Sequence, residues 1–373
     1  VIKGKGSSHS QKLEFGEMQA QPRGGYRNMS STQPSVFRER QVFRTRLTDL
    51  FNIAHPILAG GLMWLSDASY VAAVVNAGGM GFITSRSSES LKAFEQELSA
   101  CKRLTSGRPF GVNLSTSRHS AVPLMTYLDA ALAAGVRHFE TAGRAPANDL
   151  IARIRDSDGI VIHKVPQIKH AVTAERLGVN AVAIVGMECG GHPGSNTDMP
   201  AMLAATIATE RLSIPFAIGG GIGTGRQMLA ALAMGADAVV IGTRFLAATE
   251  VTAHEAYKHR MVTATENDSL VAFAGNQTLG GAWRVLNNET AREVRLRETR
   301  GETEFAAYGD LIRGSVTRDA CYRDGDAEKG MVSMGPSVCF VTRVEPIAAI
   351  MSDLLHDAKA AQARVNALTS GAP

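Results

Sequence analysis

From Pro56 onward, short apolar or β-branched runs alternate with longer stretches whose apolar residues recur at helical spacing. Such alternation means parallel strands joined by helices. Eight runs predict strands: Pro56–Gly60, Met80–Thr84, Phe110–Leu114, His138–Ala142, Ile160–Lys164, Ala181–Val185, Phe216–Gly220 and Ala238–Gly242. The pattern between them predicts helices over Asp67–Ala77, Ser88–Leu104, Val122–Ala134, Gln167–Leu177 and Gly225–Met234, several of them stopped by glycine. One helix-to-strand hinge recurs in Ala77-Gly-Gly, Ala134-Gly-Val, Leu177-Gly-Val and Met234-Gly-Ala. A β/α unit used eight times predicts an α/β fold, a closed parallel (β/α)8 TIM barrel in which no strand is left as an open edge. An open doubly wound sheet would place a G-x-G-x-x-G turn after its first strand and an acidic residue about 20 positions later. Here the first strand runs into Gly60-Gly61-Leu62-Met63, and no such fingerprint follows.

The rhythm breaks after Thr249. Residues 254–340, charged and helix-rich through Asp326, carry no strand of similar quality and predict a smaller helical subdomain packed over the barrel mouth as a substrate lid. Helical spacing returns at Ile347, Ile350, Met351, Leu354 and Leu355, so residues 341–373 predict a C-terminal helix lying back on the barrel wall. The barrel itself is assigned to residues 42–253. Residues 1–41 are polar, begin without Met and lack the apolar core and cleavage site of a signal peptide. They read as a disordered expression leader, with which a native start at Met29 is consistent.

Composition narrows the range of partners. The chain of 373 residues has a formal net charge of only +4, and its basic residues are scattered, so the footprint of a nucleic-acid binder is missing. No apolar run approaches the roughly 18 residues needed to cross a bilayer. Cys101, Cys189, Cys321 and Cys339 lie far apart without C-x-x-C spacing, which fits a reduced, cytoplasmic interior. Cys189 reads as a small buried filler. His55 and His163 lie at or within strands and read as packing residues, since no His/Asp/Glu cluster has the spacing of a metal site. The expectation is an enzyme of a small-molecule substrate, with no metal, nucleic acid or membrane as partner; a homodimer is left open.

In a barrel of this kind the active site is built from loops at the carboxyl ends of the strands, often with a phosphate near strands seven and eight. Two glycine-rich strand ends fall there, Ile218-Gly-Gly-Gly-Ile-Gly and Ile241-Gly-Thr-Arg. Glycine lets backbone N–H groups approach phosphate oxygens, and a helix N-terminus near Gly225 would add to the positive end. Asn113 and Lys164 end the third and fifth strands. They face either a planar ring edge, where Lys164 would meet the N1–C2 region of a flavin, or solvent and a turn. Gly186-Met-Glu-Cys-Gly-Gly-His-Pro-Gly194 follows the sixth strand. Its small residues bring His192 over the mouth, with an ordinary pKa near 6.5 that suits a catalytic base. Glu188 either orients His192 or is solvated, and Trp64 either lines the pocket or fills the barrel top.

Across about Val42 to Ala248, and more loosely beyond, the chain resembles the nitronate monooxygenases, or 2-nitropropane dioxygenases, and their flavin-dependent reductase relatives. The resemblance is carried by Pro56-Ile-Leu-Ala-Gly-Gly, Asn76-Ala-Gly-Gly-Met-Gly, Phe110-Gly-Val-Asn-Leu, Glu140-Thr-Ala-Gly, His163-Lys, Glu188-Cys-Gly-Gly-His-Pro-Gly, Ala217-Ile-Gly-Gly-Gly-Ile and Gly242-Thr-Arg-Phe-Leu. It implies FMN at the mouth, contacted by Gly60, Gly61, Leu62, Met63, Asn113, Lys164, Gly190 and Gly191. The FMN phosphate would lie on Gly219, Gly220, Gly221, Gly242 and Thr243. It further implies that His192 takes the α-proton of a nitroalkane or receives the nitronate, and that O2 is consumed to give a carbonyl compound and nitrite. The Gly-His-Pro-Gly form is closer to the branch containing NAD(P)H:quinone reductases. The alternative is therefore NAD(P)H-dependent reduction of a quinone or an enoyl thioester, with NAD(P)H as co-substrate.

Overall fold

Each of the eight expected strands forms within a residue of its expected bounds: β1 (Ile57–Ala59), β2 (Met80–Thr84), β3 (Gly111–Ser115), β4 (His138–Ala142), β5 (Ile160–Val165), β6 (Ala181–Val185), and, beyond a short β7 (Gly191–Gly194), β8 (Phe216–Gly219) and β9 (Ala238–Ile241). The computed structural model describes residues 42–116, 122–194, 198–274, 276 and 279–370, so the leader expected over 1–41 lies outside the described residues. The eight strands pair in parallel and in chain order. They close where Ile57, Leu58 and Ala59 meet Val239, Val240 and Ile241. Crossing helices are α1 (Arg46–Phe51, ahead of the barrel), α2 (Ala68–Asn76), α3 (Leu91–Leu104), α4 (Leu124–Ala133), α5 (Asn148–Arg155), α6 (Ile168–Arg176), α7 (Ala201–Arg211) and α8 (Gly225–Ala233).

Strands covered on both faces read as near-continuous apolar runs, and strand parity then divides the residues between two cores. Outward residues such as Val112, Phe139, Val161, Ile184, Ile218 and Val239 pack under the helices. Inward residues Leu58, Met80, Phe82, Ile162, Ala183 and Ala217 fill the barrel, and α1 plugs its amino-terminal end with Leu47 and Phe51. Large and small side chains interlock there: a Cβ on Gly111 would fall inside the Phe82 ring, and Phe51 meets His138 edge-on at 5.5 Å. Each such side chain fully buried contributes roughly 1.5–3 kcal/mol. Because the lower barrel is filled, with His138 packed against Phe51, the inward polar residues free to meet a ligand lie at its upper, carboxyl end.

The region over 254–340 is not purely helical, which corrects the expectation. Besides α9 (Glu255–Val262) and α10 (Glu289–Thr299), it contains the antiparallel pair β10 (Ser269–Ala272) and β11 (Ala282–Leu286). Strand β11 continues onto β7, with Ala282 opposite Gly194 and Arg284 opposite Gly191. A separate small core of Ala272, Phe273, Val285, Ala291, Val294, Tyr308 and Met331 supports this sheet. The strands escape sequence reading because they are short and half polar, and because Gly191-His-Pro-Gly has almost no strand preference of its own. The C-terminal helix Ile347–Ser370 forms as expected and packs along α8, burying Ile347, Ile350, Met351 and Leu354. No helix among the described residues is long and apolar enough to cross a membrane.

Candidate functional site

Strand parity turns Asn113, Glu140 and Lys164 into the barrel mouth, and the register sets Asn113 beside Glu140 and Ala142 beside Lys164. Lys164 Nζ donates to Glu140 Oε1 at 3.0 Å. The Gly61 N–H donates to Glu140 Oε2 at 3.3 Å, and the Asn113 amide donates to the same oxygen. Four expected residues, Gly60, Gly61, Asn113 and Lys164, are therefore gathered around one carboxylate that sequence reasoning did not single out. The available signal was its inward parity on the strand between those ending in Asn113 and Lys164. Glycine is required here by space, since a Cβ at Gly61 would lie 2.7 Å from Asn113 Cβ and 2.9 Å from Thr84 Oγ1. Met63 is exposed and Leu62 half-buried, its Cδ2 3.5 Å from where a Gly242 Cβ would be. Trp64 adopts φ 70° and is held by Ser87, with Arg318 5.0 Å over its ring, so it is half-buried beneath the lid segment.

On the opposite arc Gly220 and Gly221 have φ of 115° and 68°, a left-handed backbone that glycine adopts without strain. Among the described residues, no backbone acceptor is paired with the N–H groups of Gly220, Gly221, Gly242 or Thr243. A cavity of about 380 Å³ opens beside them, lined by Gly220, Gly221, Gln227, Ala201, Ser337 and Phe340. Two expectations are corrected. The N-terminus of α8 is already capped, by the Thr224–Gln227 box and by Asp357 of the C-terminal helix, which accepts the Arg226 N–H at 2.8 Å. The loop N–H groups are thus the donors left for an anion. Glu188, half-buried, is engaged by another element rather than by His192: its two oxygens accept the Ala201 N–H at 3.2 and 3.1 Å. They cap α7, whose N-cap residue is Pro200 and offers no side-chain acceptor.

His192 lies on β7 rather than in an irregular loop. Its ring stacks on Trp283 of β11, centroids 4.6 Å apart and planes 25° from parallel. Trp283 Nε1 donates to Ser333 Oγ at 3.0 Å, which fixes the indole. The loop before His192 is tied to the phosphate-side arc: Gly190 backs onto Met334 and Gly335, and the Gly335 N–H donates to Thr243 Oγ1 at 3.0 Å. Gly191 packs beside Ser333. Cys189 feels the charge of Lys164, and the three residues from there to His192 span at most roughly 11 Å. The described contact of the imidazole is with Trp283, not with Asn113, Glu140 or Lys164.

The His192 ring keeps an exposed face, yet the enclosing protein pushes its pKa down to about 4. The open face tempers that push, and in either case the imidazole is neutral at pH 7, the form able to accept a proton. Removing the indole would open the enclosure. With His192 as the base, Trp283→Leu is expected to move the acid limb of the activity–pH profile upward toward 6.5, at some cost in stability because the indole packs on the small core and bonds Ser333; a limb that stays in place would show that Trp283 does not set the protonation of His192. Cys189 is half-exposed rather than a fully buried filler, and the surrounding protein pushes its thiol up to about 12. His163 faces the helices and bonds Thr141 Oγ1 at 2.8 Å. His55 is buried, and the described residues contain no group of three or more His, Cys, Asp or Glu able to hold a metal ion.

The nitronate monooxygenase family model matches residues 44–357. The chain is similar to a (3aS,4S,5R,7aS)-5-hydroxy-7a-methyl-1-oxo-octahydro-1H-indene-4-carboxyl-CoA dehydrogenase of Mycobacterium tuberculosis, 33% identical over 67% of this chain and 68% of that protein. It is also similar to a probable nitronate monooxygenase of Staphylococcus saprophyticus, 28% identical over 66% of this chain and 79% of that one. Among solved structures, FabK from Thermotoga maritima superposes with a TM-score of 0.78 at 31% identity, over 87% of this chain and 99% of that one.

Proposed function

The chain belongs to the nitronate monooxygenase family, an oxidoreductase family, and from that premise we propose that it is an FMN-dependent enzyme oxidising nitronates and nitroalkanes with O2 to carbonyl compounds and nitrite. The observation that carries the reading is the two-armed mouth. One arm offers the unpaired N–H groups of Gly220, Gly221, Gly242 and Thr243 and a glycine cradle, which suit a phosphate. The other offers Lys164 and Asn113 beside the side-chain-free backbone of Gly60 and Gly61, which suits a planar ring. FMN would suit both arms, with Gly219, Leu62, Met63, Gly190 and Gly191 as its further expected contacts.

When bound, FMN supplies the electron acceptor and the centre that reacts with O2. The chain's own residues do the rest. Lys164 and Asn113 would hold the ring edge, and the neutral His192, its ring set by the stack on Trp283 of β11, accepts the α-proton of a nitroalkane. The reading is tested by loading the protein with FMN and supplying propyl-2-nitronate. Oxygen uptake with nitrite release supports it, and a flavin-loaded protein that does neither sinks it.

A second reading is favoured by one observation, that the 33% identical relative is a carboxyl-CoA dehydrogenase. Under it the same flavin exchanges hydride between NAD(P)H and a quinone or an enoyl thioester, and rapid anaerobic bleaching by NADH is the distinguishing result.

A further inference from the structure

Three of the residues expected at the cofactor come from three different strand ends, and one carboxylate joins them. Gly61 follows β1, Asn113 is on β3 and Lys164 on β5; Glu140 reaches all three from β4. The Glu140 side chain is 2% exposed and that of Lys164 22%. A carboxylate held that deep remains tolerable only because donors surround it, and here both oxygens are used. The pairing also has an electrical effect. Lys164 Nζ stands 3.4 Å from where a Gly60 Cβ would be, so alone it would present a full positive charge to anything lying on Gly60 and Gly61. With a carboxylate oxygen at 3.0 Å the pair has no net charge, and its field falls off faster with distance.

Resting on the FMN reading above, we propose that Glu140 is a positioning residue that sets the reduction potential of the bound flavin, by holding Lys164 at the ring edge and cancelling most of its charge. Reduction gathers negative charge on the flavin, and an unopposed ammonium beside the ring favours the reduced form more than a paired one does. In a partly water-excluded mouth that difference is much larger than in bulk water. Among the described residues Glu140 bonds Gly61, Asn113 and Lys164 and not the loop N–H groups of Gly220, Gly221, Gly242 and Thr243, so the phosphate arm stays in place when Glu140 is changed.

The test is Glu140→Gln, which keeps the shape and lets Asn113 turn its amide over to accept a hydrogen bond. FMN uptake is followed first by quenching of flavin fluorescence, and the midpoint potential is then measured by spectroelectrochemical titration. Reduced FMN should gain at least tenfold in affinity relative to oxidised FMN, an upward shift of about 30 mV for a two-electron couple. The shift should vanish in Glu140→Gln/Lys164→Met, because it needs the ammonium. Should Glu140→Gln not fold, Glu140→Asp withdraws the charge by one methylene and should shift the potential upward by less. A flavin-loaded variant with an unmoved potential, or a shift that survives in the double variant, overturns this inference and leaves the FMN reading standing. A wild-type protein that takes up no FMN overturns both.

Discussion

His192→Asn is expected to lower turnover by about 10²–10⁴-fold with FMN stoichiometry unchanged, the usual contribution of a positioned proton acceptor. The amide keeps one polar atom near the ring position but cannot take a proton at neutral pH. The substitution removes a side chain with an exposed face on a three-stranded edge, so it should leave folding intact. The pH profile gives the second readout. A base works in its unprotonated form, and the enclosing protein holds His192 below its ordinary 6.5, down toward about 4. Wild-type activity should therefore stay level from neutral pH into mildly acidic solution and fall only as the pH approaches that lower value. In His192→Asn the acid limb should be missing from whatever activity is left. If turnover and its acid limb are both unchanged, the base is another group. A large loss of flavin instead of turnover would place His192 in cofactor binding.

How much of this was legible in the sequence depends on whether the signal was local. The barrel strands were readable because burial on both faces makes each an unbroken apolar run, and no distant partner is needed to see it. The loops after β8 and β9 were readable because glycine marks backbone positions by itself, as the positive φ of Gly220 and Gly221 bears out. His192 stood out for its frame of glycines, but what surrounds it did not. Its platform, Trp283, lies on a strand whose pairing with β7 is set by packing on a second small core rather than by any pattern in β7. Glu140 was hidden for a related reason: a glutamate on a strand looks solvated until the barrel closes and brings Gly61, Asn113 and Lys164 to it. Glu188 was misread because the demand it meets, an uncapped helix starting after Pro200, belongs to another element. The N-terminus of α8 was misread likewise, since the C-terminal helix supplies Asp357 from far along the chain.

That last contact leads to the largest expected effect on stability. Gly225→Ala normally improves a helix by about 1 kcal/mol. Here a Cβ on Gly225 would fall on the Leu354 carbonyl oxygen and the Ala358 nitrogen, both backbone atoms of the C-terminal helix. Backbone cannot rotate out of the way as a side chain can, so the two helices must separate. Parting them exposes Met351 and Leu354 and draws Asp357 away from the Arg226 N–H and guanidinium that it pairs with at 2.8 and 2.7 Å. Overpacking of this kind costs about 1–3 kcal/mol and sometimes more, enough to outweigh the gain in helix propensity. For a chain of this size a net loss of about 2 kcal/mol lowers Tm by roughly 2–4 °C. Because α8 continues directly from the Gly219–Gly221 turn, its displacement should also weaken FMN binding by about tenfold, measured by fluorescence titration. Truncating the Leu354 side chain in the same protein should rescue neither quantity, since that side chain is not what collides. A Gly225→Ala protein that melts at or above the wild-type temperature would mean that the two helices do not approach as closely in solution, and the docking of the C-terminal helix would have to be redrawn.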